Sequence, residues 1–222
     1  MNFFDQLQSK TEAARTYLYA APIIKRCFVG DVSRKEYVAF LQCAFHHVKH
    51  TVPLLMRAGS RFSEELEWMR EATAEYIDEE LGHQEWILND IAACGVDKEI
   101  IRHSKPNRAT EIMVSYAYDT IDRVHPLGFF GMVHVLEGTS ISSADQAANS
   151  IQKALGLPDA AFSYLRSHGA LDIEHVDFFK SLMNRITDPE HQDIIVHAAN
   201  VFYHLYGDVL RSVSTQSSLM AA

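Results

Sequence analysis

The sequence predicts an all-α protein, organised as a single helical domain over residues 1–222 with about 214–222 as a frayed tail. Three observations lead there. Apolar residues recur at helical spacing in nearly every segment. Alternating strand patterns and Asn-Gly hairpin signals are absent. No Gly/Ser-rich linker or block of like charge marks a domain boundary. A chain of 222 residues is long enough to bury one substantial core.

The elements follow in order. Residues 2–20 open with Asn2 as a cap and set Phe4, Leu7, Ala14, Tyr17 and Leu18 on one side. The second helix starts at Ser33, where Ser33 and Glu36 have capping-box spacing, and runs to about Ala58. A third runs from Ser63 to Ala93, with Gly95 as its stop. The fourth, Asn107 to Arg123, ends before His125-Pro126. The fifth spans Leu127 to about Leu155 and closes at Gly156 and Pro158. Two further helices, Pro158 to Ser167 and Ala170 to Ile186, are separated at Gly169, and the last spans Pro189 to about Val213.

Composition narrows the function. A net charge of -9 argues against a nucleic-acid partner, which needs clustered Lys and Arg. No stretch has the length of apolar residues that a membrane span requires, and MNFFDQLQSK shows no secretory signal. Cys27, Cys43 and Cys94 are widely spaced, odd in number and form no CxxC pair. They read as reduced thiols in a cytoplasmic protein.

Four constellations could carry chemistry. In the third helix, Glu80 and His83 stand three apart, and Glu79 and His83 four apart, so a carboxylate and an imidazole share a face. This E-x-x-H spacing suits a metal site inside a bundle, although a charged helix also brings Glu and His together by chance. The string H-G-A-L-D-I-E-H sets His168, Asp172 and His175 within about 60° on one helical stripe. Two imidazoles and a carboxylate form a ligand set for iron, manganese or zinc; a solvated polar face is the alternative. Glu137 lies in the apolar run F-F-G-M-V-H-V-L-E and must be protonated, ion-paired or metal-bound, with His134 as a neighbour or a core residue. The second helix carries His46, His47 and His50, of which one faces the bundle or all meet solvent.

The order Glu80-x-x-His83, Glu137, His168-x-x-x-Asp172-x-x-His175 resembles the heme-oxygenase-like di-iron oxidases, whose helical bundle is shared with the TenA thiaminases and the PQQ-forming oxidase. The resemblance runs from the L-x-x-A-P-I-I segment at Leu18 through His175. It implies a heme-oxygenase/TenA-like helical bundle holding two iron ions, with manganese as the alternative metal. It also implies O2 and a small organic substrate as reaction partners, and a homodimer, which folds of this kind often form. The implied metal ligands are Glu80, His83, Glu137, His168, Asp172 and His175, with Glu79, His46 and His47 in reserve.

The chain also departs from that family. Some members place a glutamate seven residues before the histidine, where this chain has Tyr76, a redox or hydrogen-bonding neighbour of the site or a core residue. Some draw a carboxylate from the second helix, where this chain has His46 and His47. The nucleophilic cysteine of TenA thiaminases has no counterpart after Cys94, and residues 1–25 lack the axial histidine of heme oxygenases. An acidic chain does not suggest the basic pocket of the PQQ-forming oxidase. Two rival readings remain: a metal-free binding or regulatory protein of this fold, and a TenA-type hydrolase with Glu137 as its acid or base.

Overall fold

The structure, a computed structural model, describes the backbone of residues 1–219 and their side chains except those of 140–143, 168–175 and 215–219. Helices are α1 (Phe3–Lys10), α2 (Glu12–Tyr19), α3 (Pro22–Phe28), α4 (Arg34–Val48), α5 (Thr51–Gly59) and α6 (Glu67–Glu80). They continue with α7 (His83–Ala93), α8 (Lys98–Arg102), α9 (Arg108–Asp119), α10 (Phe129–Leu155), α11 (Ser163–Arg185) and α12 (Pro189–Leu219). The described residues form no strand, so the chain has the all-α fold its periodicity predicts.

The helix starts obey local chemistry. Asn2 accepts the amide of Asp5, and Asn107 accepts that of Thr110, each at 2.9 Å. Ser33 and Glu36 form the full capping box: the Ser33 amide donates to Glu36 Oε2 at 2.9 Å, and the Glu36 amide donates to Ser33 Oγ at 3.2 Å. Two short helices that periodicity does not reveal have the same kind of start. Pro22 sits in the first turn of α3, and the Asp97 side chain caps α8.

Five boundaries differ from the sequence expectation. The first predicted helix divides at Thr11, whose buried hydroxyl donates back to the Leu7 carbonyl at 2.7 Å. The second divides at Lys49 and His50, and the third at Leu81 and Gly82. Conversely, Gly169 breaks nothing: α11 is continuous from Ser163 to Arg185, since a single glycine lowers helix propensity without forbidding it. The last helix likewise runs past Val213 to Leu219.

At the centre, α10 packs along α11 and α12, and α12 also covers α2, α4 and α9. The α10–α12 contact is close because Gly131 lies in it. A Cβ on Gly131 would stand 2.6 Å from the Ala199 amide nitrogen and 2.8 Å from Ala198 Cβ. On the same two helices, Phe129, Phe130, Phe202 and Tyr203 are almost wholly buried. Each such ring contributes about 1.5–3 kcal/mol by leaving water. Gly131→Ala should therefore force the helices apart and cost about 1–3 kcal/mol, read as a lower urea midpoint. An unchanged midpoint would mean that the α10–α12 spacing is not set by this glycine.

Candidate metal centre

A cavity of about 180 Å³ lies among α3, α4, α6, α10 and α12, with α5 and α11 adding to its wall. Its wall is mostly apolar, with Ile24, Phe40, Leu55, Phe129, Met132 and Leu136 contributing. Against that wall stand Glu80, Glu137, Tyr76 and His47.

Glu80 is the last residue of α6 and His83 the first of α7. Between them Leu81 is extended, at φ -61° and ψ 119°, and Gly82 is left-handed at φ +91°. A residue with a Cβ would be strained at Gly82 by its backbone angle alone, since nothing lies within 4 Å of an added Cβ. The expectation of one continuous helical face for this pair is thus corrected: the two residues meet across a helix break. His83 Nδ1 stands 3.0 Å from Glu80 Oε2. The imidazole is 3% exposed and lies against Trp86, with ring centroids 4.0 Å apart.

Tyr76 sits one turn before Glu80 on α6, 2% exposed, with its ring against Phe130 and Phe178. Burial above all, and then the carboxylates of Glu137, Glu79 and Glu80, hold its phenol pKa well above the usual value. The phenol therefore stays protonated, as a donor beside those carboxylates. Glu79 itself is exposed and does not line the cavity.

The α4 histidines separate. His47 is buried, lines the cavity and meets the Tyr206 ring edge-on at 5.9 Å. His46 is turned elsewhere: its Nε2 is 2.9 Å from Ser104 Oγ and its Nδ1 is 3.2 Å from Lys49 Nζ. Burial foremost, with Lys49 and His50 adding to it, pushes the His46 pKa down to about 4. His50 Nδ1 lies 3.1 Å from the Tyr118 hydroxyl. His134 is a core residue, packed against Phe179 and Tyr203 with its Nε2 3.4 Å from the Tyr203 hydroxyl.

His168, Asp172 and His175 lie outside the described side chains. The backbone that carries them is described: it is uninterrupted helix, so the three positions keep a shared register within about 60°. Flanking residues fix where this stretch runs. Tyr164 and Leu165 line the cavity, and Phe178 touches Tyr76 with ring centroids 5.4 Å apart. The α11 helix also packs along α10 and α7.

One residue that sequence reading missed sets that helix in place. Asp90, on α7 and 0% exposed, accepts the Ser163 amide at 3.1 Å, the Tyr164 amide at 2.9 Å and the Ser163 hydroxyl. It caps α11 from a different helix, so no sequence spacing announces it; the only signal is an acidic residue inside the apolar run I-L-N-D-I. Burial raises its pKa, against the lowering effect of the Ser163 and Tyr164 hydrogen bonds.

Among the described residues, no group of three or more His, Cys, Asp or Glu side chains stands ready to hold a metal ion. The chemistry of the available donors nonetheless fits iron. Glu80, His83 and Glu137 would supply two carboxylates and an imidazole, and α11 would supply His168, Asp172 and His175.

Two outcomes test this construction. Asp90→Ala leaves the α11 amides without a buried acceptor and should cost about 1–3 kcal/mol, with reduced helix content around α11 in hydrogen exchange. Normal protection of α11 in that variant would remove Asp90 from this role. The histidines set an acid limit. Burial lowers the His134 pKa from 6.5 to about 3, so the fold accommodates the neutral ring. Its contribution is complete above pH 6.5 and is lost as pH falls from 6.5 toward 3; His46 adds to the loss between 6.5 and about 4. The urea midpoint should fall across that window, and less steeply in His134→Gln. An equal slope in the variant would contradict the assignment.

Comparison with known proteins agrees with the helical fold. Residues 38–207 match the family model for iron-containing redox enzymes. A domain of unknown function with a heme oxygenase-like fold from Shewanella denitrificans OS217 is similar over 100% of this chain and 96% of its own, with TM-score 0.89 and 21% identity. A TenA homolog from Pseudomonas syringae pv. tomato DC3000 is similar over 96% and 93%, with TM-score 0.78 and 13% identity. Heme oxygenase-1 from the cyanobacterium Synechocystis sp. PCC6803, in complex with heme, is similar over 100% and 96%, with TM-score 0.76 and 13% identity. No curated protein matches the sequence. The match covers most of the chain, and the chain belongs to the family of iron-containing redox enzymes, with a heme oxygenase/TenA-like fold.

Proposed function

We propose that the protein is a non-heme iron oxidase that uses O2 to oxidise a small organic substrate in the α3–α4–α6–α10–α12 cavity. The observation that carries this reading is the placement of Glu80 and Glu137, with His83 beside Glu80, at the wall of a mostly apolar cavity. Glu80, His83, Glu137, His168, Asp172 and His175 would hold two iron ions. Iron bound there would supply the electrons that reduce dioxygen.

The chain's own residues support this in distinct ways. The carboxylates of Glu80 and Glu137 bring the negative charge that a cation needs to leave water. The Glu80–His83 contact orients the imidazole, as partners of metal-bound histidines do. Tyr76 offers a protonated hydroxyl close to Glu137 and Glu80. Phe129, Met132 and Leu136 give the cavity wall an apolar face.

Iron content after anaerobic Fe(II) loading tests the reading. About two irons per chain are expected in the parent protein, as in carboxylate-bridged bundles. Glu137→Ala, His168→Ala and His175→Ala should each fall well below it. Full iron stoichiometry in all three variants would overturn the ligand assignment. No uptake by the parent under any loading would favour a metal-free binding protein or a TenA-type hydrolase that works through Glu137.

A further inference from the structure

His83 sits at a weak point of the backbone. It is the first residue of α7, Gly82 before it is left-handed, and no side chain caps this helix start. Space around the turn is open, with nothing within 4 Å of a Cβ added at Gly82. Amides of a first turn have no partner inside their own helix, so the helix ladder does little to fix a residue there. The imidazole is nevertheless 3% exposed, and its Nδ1 stands 3.0 Å from Glu80 Oε2. An edge contact of that kind positions a ring but leaves it able to rock about the edge.

Trp86 opposes that rocking. Three residues on in the same helix, it shares a face with His83. Its ring centroid lies 4.0 Å from that of the imidazole with the planes 31° apart, so the indole covers one imidazole face. The chain's other tryptophan is placed differently. Trp68 packs on the apolar core and has the Arg185 guanidinium 4.1 Å from its ring centre. Trp86 is partly buried and, among the described residues, neither belongs to that core nor packs on it.

The contact distinguishes two states of the imidazole. A ring that gives its lone pair to a cation becomes electron-poor, and the negative face of an indole stabilises an electron-poor ring more than a neutral one. A group that interacts better with the metal-bound form raises metal affinity; one that touches both forms equally does not. We infer that Trp86 is a positioning residue for iron: it holds the His83 imidazole by its face and strengthens metal binding there. This rests on the proposed function for His83 as an iron ligand.

Three variants separate this role from plain packing. Trp86→Phe keeps an aromatic face, Trp86→Leu keeps apolar bulk without one, and His83→Ala removes the imidazole. Each is first checked for native helix content. In the metal-free parent the His83 ring-proton resonances, assigned by their loss in His83→Ala, should lie upfield through the indole ring current. Trp86→Phe should retain part of that shift and Trp86→Leu none. Anaerobic Fe(II) titration in competition with a chromophoric chelator should give a Kd about tenfold weaker in Trp86→Leu, the effect expected of a group that orients a metal-bound histidine. Trp86→Phe should stay closer to the parent than to Trp86→Leu. Trp86→Met takes the place of the leucine variant if that one does not fold.

Equal Fe(II) affinity in the parent and in natively folded Trp86→Leu would overturn the inference and leave the oxidase reading standing. So would His83 resonances that do not move between the two, or a Trp86→Phe no tighter than Trp86→Leu. No Fe(II) uptake by the parent would overturn this inference together with the oxidase reading, an outcome told apart from the others by the parent alone.

Discussion

The carboxylate of Asp90 joins the helix that starts at His83 to the start of the helix that carries His168, Asp172 and His175. A helix begins with amides that have no partner inside it, and here those of Ser163 and Tyr164 are satisfied by a buried acceptor from a neighbouring helix. That one contact fixes where α11 begins relative to α7. From Ser163 onward α11 is unbroken, so fixing its start fixes the level at which positions 168, 172 and 175 pass α10. Desolvation raises the Asp90 pKa, and the hydrogen bonds to α11 oppose it. The same group that holds the helix is thus held by it.

A second constraint acts on the other half of the site. The chain between Glu80 and His83 leaves the helix, and the left-handed turn at Gly82 starts α7 afresh. Glu80 and His83 still meet at 3.0 Å, with the imidazole backed by Trp86. The α10 helix then brings Glu137 to the same cavity because Gly131 lets α10 lie close on α12. Three backbone features, a cross-helix cap, a left-handed glycine and a close helix crossing, surround one small apolar space.

The helical fold was legible in the sequence because amphipathic period is a local property, as in Tyr37, Leu41, Ala44 and Phe45 of α4. The capping box at Ser33 and Glu36 and the stop at Gly95, which has φ +75°, were legible for the same reason. Breaks set by tertiary context were not. Nothing local says that Gly82 interrupts a helix while Gly169 does not. Within the site, Glu80, Glu137 and Tyr76 stood out as polar groups in apolar or charged runs, and the structure sets all three on one cavity. Which α4 histidine faces that cavity was not legible, since His46 and His47 are equally buried and differ only in their partners, Ser104 and Tyr206. Asp90 escaped notice because its role is to a residue 73 positions away.

In the proposed centre, α6, α7, α10 and α11 meet at a metal. Anomalous scattering at the iron edge, from crystals of the anaerobically loaded protein, addresses that claim without reference to turnover. Peaks are expected between Glu80, His83 and Glu137 on one side and the 168–175 stretch of α11 on the other. Iron bound only elsewhere, for instance beside the neighbouring His125 and His191 rings, would contradict this placement.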